Sequence, residues 1–164
     1  MPEAVSAPVQ SLFGLETRCN FGQRWGKGVA GDRNLVENRS VKELLPDGPL
    51  VLVVEDEFLV RLTAVDAIED AGFTVLEAED ADRALELLQH RTDIGVLFTD
   101  IKMPGRVDGL ELARVVRERW PAIKIILTSG HLYREDVDMP LSVPFLQKPY
   151  RARELIAGLV EVIR

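Results

Sequence analysis

Four stretches of this sequence close an apolar run with residues able to handle a phosphoryl group. Glu55 and Asp56 follow Leu50-Val51-Leu52-Val53-Val54, and Asp100 follows Val96-Leu97-Phe98-Thr99. Thr128 follows Lys124-Ile125-Ile126-Leu127, and Lys148-Pro149 follows Phe145-Leu146-Gln147. If each run is a strand of one parallel sheet, their carboxyl ends converge on a single crevice. The expected site is an acidic pocket with a hydroxyl and an ammonium at its rim. Carboxylates crowded in such a place repel, and burial and like charge both favour protonating one of them. A hard divalent cation removes the conflict. Mg2+ suits it best, because that ion takes one or two carboxylates, keeps waters and bridges phosphate oxygens. The plainer reading of Glu55-Asp56-Glu57 is a solvated loop-end cluster, or an N-cap for a helix beginning near Glu57.

Asp100 is the candidate nucleophile. A carboxylate beside a metal can attack phosphorus and form an acyl phosphate, while the metal offsets charge on the transferring oxygens. Met103-Pro104-Gly105 is a turn signal that projects Asp100 into the crevice, and Asp108, eight positions on, is too distant for Asp100 to cap its helix. Lys148 precedes Pro149, which has no backbone donor and biases Lys148 toward extended geometry. An ammonium held there can pair with Asp100 at rest and with a phosphoryl oxygen afterwards. Thr128 offers that group a hydroxyl; its neighbour Ser129 could substitute, though strand-end register favours Thr128. Phe145 ordinarily counts as core, and His90 and His131 read as ordinary side chains.

The elements that must position these residues alternate strand and helix from Leu50 onward. Expected strands are Leu50–Val54, Thr74–Glu77, Gly95–Thr99, Lys124–Leu127 and Pro144–Gln147. The expected helix at Glu57–Ala71 carries Phe58, Leu62, Val65 and Ile68 at helical spacing, with Gly72 as its stop. Ala81–His90 buries Ala84, Leu85, Leu87 and Leu88; Asp108–Trp120 turns Leu112, Val115 and Val116 inward; Arg151–Ile163 closes the domain. Between Ser129 and Val143, Gly130, Asp136, Asp138 and Pro140 make the fourth helix short or irregular. Repeated strand–helix alternation implies an α/β fold, a doubly wound parallel sheet with right-handed crossovers.

Residues 1–48 have no sustained period and read as a poorly ordered N-terminal extension, or alternatively as carrying a short helix near Asn34–Leu45. That stretch holds six basic and six acidic side chains, so the net charge of −7 falls entirely on residues 49–164. An acidic folded part argues against DNA as a partner. A single cysteine, Cys19, excludes an internal disulfide and fits a reducing compartment. No segment approaches the roughly 18 apolar residues of a membrane span, and residues 1–15 lack a secretory pattern, so a cytoplasmic location is expected.

Taken in order, Val53-Val54-Glu55-Asp56-Glu57, Thr99-Asp100, Met103-Pro104, Asp108-Gly109, Thr128 and Lys148-Pro149 closely resemble the receiver domain of bacterial two-component response regulators, over about residues 49–164. The resemblance implies a flavodoxin-like (βα)5 fold with strand order 2-1-3-4-5. It implies that Asp100 accepts a phosphoryl group from a histidine of a sensor histidine kinase or histidine phosphotransfer protein. Mg2+ would be held by Asp56, Asp100 and the main-chain carbonyl of Lys102, with Glu55 ordering metal-bound water. Thr128 and Lys148 would engage the phosphoryl oxygens, and Phe145 matches the family's switch aromatic. One departure is Gly105-Arg106-Val107, three residues where the family usually has two. This, Ser129-Gly130-His131 and Lys148-Pro149-Tyr150 look like a subgroup of stand-alone receivers from alphaproteobacteria.

The sequence stops at Arg164 just after the closing helix, so output is expected through contacts with a downstream protein or as a phosphate sink. Two other readings remain. A Mg-dependent aspartyl-phosphate phosphatase would normally carry a second acid two residues after the nucleophile, where this chain has Lys102. The other is a binding module that is never phosphorylated.

Overall fold

The computed structural model describes residues 48–131 and 143–164. The expected extension, except Gly48, its alternative helix and the core of the irregular fourth-helix segment lie outside the described residues. Five parallel strands form one sheet: β1 (Leu50–Val54), β2 (Val75–Ala78), β3 (Ile94–Asp100), β4 (Lys124–Ser129) and β5 (Phe145–Gln147), in the order β2-β1-β3-β4-β5. The helices are α1 (Phe58–Asp70), α2 (Ala81–His90), α3 (Gly109–Arg119) and α4 (Ala152–Ile163), the last being the closing helix. Contacts pair α1 with α4 and α2 with α3, as expected when helices cover both faces of the sheet.

The central strands are apolar on both sides because both sides are covered. Every residue of β1 is buried, as are Val96, Leu97 and Phe98 of β3 and Ile125, Ile126 and Leu127 of β4. Asp80 caps α2 by accepting the Arg83 N–H at 2.7 Å, and Asp108 caps α3 by accepting that of Glu111 at 2.8 Å. A side chain that satisfies a free amide in this way fixes where a helix begins. The extra residue after Pro104 falls in a turn in which Gly105 takes φ 128°, a conformation costly for residues with a Cβ. The insertion is thus absorbed before the Asp108 cap.

Four strands differ from their expected bounds: β4 runs two residues further, to Ser129, and β5 begins one residue later, at Phe145. β2 is displaced by one residue, and β3 extends at both ends to include Ile94 and Asp100. Asp100 is thereby the last strand residue, in register with Thr128. The helix expected at Glu57–Ala71 forms as α1, with burial uneven along it. Its buried residues are Ala64, Val65 and Ile68, whereas Phe58, Leu59 and Leu62 are 62%, 72% and 40% exposed. The apolar side chains of α1 are buried only from Ala64 onward.

Candidate functional site

The sheet delivers its polar residues where the strands end. Glu55 leaves β1, Asp100 ends β3, Thr128 lies opposite it on β4, and Lys148 follows β5. Parallel register sets this convergence: Val54 pairs with Thr99, so the next residues of both strands emerge side by side. Ile101 N–H donates to the Thr128 carbonyl and Lys148 N–H to that of Ser129, both at 2.9 Å, extending the alignment past the strands.

Lys148 is the centre of the arrangement. Its Nζ donates to Glu55 Oε2 and to Asp100 Oδ2, each at 2.6 Å, tying together the carboxyl ends of the first, third and fifth strands. Glu55 and Asp100 are buried, and the Lys148 side chain is 16% exposed. Burial pushes the Glu55 carboxyl above its ordinary range, with the Lys148 ammonium opposing it. The same burial would lower Lys148, but its hydrogen bonds to Asp100 and Glu55 prevail and hold it above the ordinary lysine value. The ion pair is therefore fully charged when both acids are ionised.

Carboxylate oxygens of Glu55, Asp56 and Asp100 lie within 4.8 Å of one another. Against three carboxylates stands one ammonium, so two negative charges are left over when all are ionised. The second oxygen of Glu55, Oε1, is buried with no hydrogen-bond partner. An uncompensated acceptor of this kind costs free energy unless something is bound to it. Hard oxygen donors, excess charge of two and an orphaned carboxylate oxygen together fit a divalent cation such as Mg2+. The helix-cap reading of the cluster fails: Glu57 stands at the N-cap of α1 and makes no side-chain capping bond.

The remaining expected residues take distinct places. Lys102 is exposed just beyond β3, and its N–H donates to Asp100 Oδ1 at 3.3 Å. Thr128 Oγ1 is buried without a partner, whereas the Ser129 hydroxyl accepts the His131 N–H at 3.3 Å. Of the two neighbouring hydroxyls, the uncommitted one is that of Thr128. Phe145 is buried at 8% exposure within the apolar core, on β5 beside Leu127.

Several features were not read from the sequence. The Lys148–Pro149 peptide is cis. Tyr150 packs edge-on against Phe98 with ring centroids 5.9 Å apart. Burial, and then the charges of Glu55 and Asp100, push its phenol well above the ordinary tyrosine value. Leu59, Val60, Thr63 and Ala64 of α1 line an apolar groove with Pro149 and Tyr150, ending at Lys148. Arg61 donates through a terminal nitrogen to the Glu55 carbonyl at 2.6 Å. Its spacing within α1 was visible, but nothing local marked the carbonyl it would reach.

The family model described as the response regulator receiver domain matches residues 51–160. Sensor kinase CckA of Brucella abortus (strain 2308) is 35% identical over 119 residues, covering 69% of this chain and 12% of the kinase. Response regulator receiver protein CpdR of the same organism is 36% identical over 116 residues, covering 69% of this chain and 95% of CpdR. The chain thus spans a small part of the kinase's length and nearly all of CpdR's. The crystal structure of a response regulator receiver protein from Sinorhizobium medicae WSM419 superposes with a TM-score of 0.66 at 29% identity, covering 72% of this chain and 96% of that one. With this fold, this pocket and these matches, the chain belongs to the receiver-domain family of two-component response regulators, phospho-acceptor signalling modules whose family function is phosphorylation on an aspartate.

Proposed function

We propose that Asp100 is the phospho-acceptor of this chain, receiving its phosphoryl group from a phosphohistidine of a sensor kinase or histidine phosphotransfer protein. The observation that carries this reading is the Lys148 bridge, whose ammonium holds Glu55 and Asp100 at 2.6 Å in one buried pocket. In the transfer, an Asp100 carboxylate oxygen forms a bond to phosphorus as the donor's phosphorus–nitrogen bond breaks. The electron pair leaves with the imidazole, and the product is an acyl phosphate. Mg2+ held by Asp56, Asp100 and the Lys102 carbonyl, with Glu55 ordering its water, would offset charge on the transferring oxygens. Lys148 gives up its bond to Asp100 and pairs with a phosphoryl oxygen. Thr128 supplies a hydroxyl that has no other partner.

The exposed Phe58, Leu59 and Leu62 beside the pocket support docking of a donor protein, since apolar groups grouped on a surface favour association. Output would run from Thr128 to Phe145 and the face around β5 and α4, biasing a two-state equilibrium. The partner on that side is a downstream protein, or the chain acts as a phosphate sink in the cytoplasm. Among the described residues no helix is long and apolar enough to cross a membrane.

The test is intact-protein mass after incubation with acetyl phosphate and Mg2+, for wild type and Asp100→Asn, and again with a phosphohistidine donor. One added phosphoryl group that requires Mg2+ and disappears in Asp100→Asn is the expected result. Labelling of Asp100→Asn at the wild-type level would overturn the assignment.

A further inference from the structure

The guanidinium of Arg61 touches three things that belong to the edge of the acidic pocket. It donates to the Glu55 main-chain carbonyl at 2.6 Å and, through Nε, to Glu77 Oε2 at 3.3 Å. Phe58 lies over it, 5.7 Å from ring centroid to the guanidinium carbon. The Arg61 side chain is only 12% exposed and its bond to the Glu55 carbonyl is part-buried, whereas Glu77 is 49% exposed and its contact is open to water.

The carbonyl of Glu55 belongs to the peptide joining Glu55 to Asp56. The orientation of that peptide plane sets the directions in which the two acids leave the backbone. Glu55 N–H is already committed to the Ala78 carbonyl at 3.2 Å, which anchors one side of the residue to β2. The first turn of α1 does not engage the other side: its opening bond runs from Arg61 N–H to the Glu57 carbonyl. The Glu57 side chain makes no capping bond either. The Glu57 backbone N–H acts on the Glu55 carboxyl, and Arg61 adds the restraint on the Glu55 carbonyl itself. Glu77, on β2, braces the guanidinium from outside the loop.

We propose that Arg61 is a positioning residue for phosphoryl transfer, clamping the Glu55–Asp56 peptide so that both carboxylates face Asp100 in the geometry a divalent cation requires. Arginine suits the role because one planar fork meets two acceptors at once. The inference rests on the Mg2+ reading of the pocket. Residues that orient metal ligands from outside the ligand set typically change metal affinity about 10–100-fold when removed.

The measurement is calorimetric titration of the full chain with MgCl2, alongside the acetyl phosphate labelling rate at graded Mg2+. Arg61→Ala should weaken Mg2+ binding about ten-fold. It should raise the Mg2+ concentration needed for half-maximal labelling by a similar factor, with most of the rate recovered at saturation. Arg61→Lys, able to reach one acceptor, should restore part of the affinity. Glu77→Gln, which leaves the carbonyl contact in place and perturbs folding least, should shift Mg2+ affinity in the same direction by less. A folded Arg61→Ala or Glu77→Gln protein with unchanged Mg2+ affinity would overturn the proposal. Affinity lost equally in Arg61→Lys and Arg61→Ala would also count against the forked clamp. Failure of Asp100 to be labelled is a separate result, because the titration reads metal binding without phosphorylation.

Discussion

Replacing Lys148 by alanine removes the only ammonium bridging Glu55 and Asp100 among the described residues, and its consequence can be worked from the geometry. Glu55 and Asp100 side chains are 1% and 9% exposed, so neither recovers full hydration when the lysine is cut back. Breaking a buried pair by deleting one partner typically costs about 3–5 kcal/mol. Asp56 is half-buried rather than enclosed, so solvent reaches one side of the pocket and the lower end, about 3 kcal/mol, is the better figure. At roughly 4 °C per kcal/mol for a domain just over a hundred residues, the midpoint should fall by about 12 °C in a chelating buffer. Mg2+ should return more than half of that, because a cation supplies the missing countercharge.

The same deficit should depend on pH in one direction. Burial already raises the Glu55 carboxyl in the folded chain, and loss of the ammonium, which opposes that rise, lifts it further. Between its unfolded value and its raised folded value the folded chain holds the extra proton, so stability falls as pH rises through that window. Without Mg2+, the deficit of Lys148→Ala should be small near about pH 5 and full near about pH 8. Urea unfolding at both pH values, with Mg2+ and with chelator, is the assay. A loss under about 1 kcal/mol at the higher pH, typical of an exposed pair, would refute the reasoning. So would a loss that neither Mg2+ nor acid relieves.

Two further substitutions separate packing from chemistry. A Cβ on Gly109 would collide with the Asp100 carbonyl, so Gly109→Ala must push the start of α3 away from the end of β3. It should cost about 1–3 kcal/mol and slow labelling of Asp100; wild-type stability with a wild-type labelling rate would show the approach to be looser than this. Thr128→Val should be neutral or stabilising by up to about 1 kcal/mol, because it removes a buried hydroxyl with no partner, while weakening phosphorylation-dependent partner binding. A loss of stability, with coupling intact, would mean the hydroxyl serves the fold instead.

Legibility followed the physics of burial on both faces. The runs at 50–54, 96–98 and 125–127 could be read as strands because a sheet covered by helices admits apolar residues at successive positions. Reading the strands placed Glu55, Asp100, Thr128 and Lys148 together without any long-range information. The choice of Thr128 over Ser129 could not be finished from sequence, since both are buried and only hydrogen bonding tells them apart. The ends of β3 were missed by a residue each because Ile94 and Asp100 flank a run whose polar and glycine neighbours disguise them. The Arg61 contact was invisible for another reason: its acceptor is a backbone carbonyl, and every residue has one.

The helix expected at 57–71 forms, and the way burial runs along α1 is more instructive. Apolar residues at 58, 62, 65 and 68 fit one helical face, yet burial begins only at Ala64 and the first turn leaves Phe58 and Leu59 in solvent. Helical spacing tells which side chains share a face, but not how far along the axis the supporting sheet extends. Here the helix starts four residues after β1 ends, so its opening turn stands beyond the carboxyl edge of the strands. Ile68 and Val65, farther along, find the core. Covering Phe58, Leu59 and Leu62 would have required another element over the mouth of the pocket, and that would close the route to Asp100. Exposing them carries a solubility cost that evolution could remove with polar substitutions at no cost to the core. Local pattern and global burial disagree at this rim, which is where a site proposed to admit another protein's histidine would keep them in conflict.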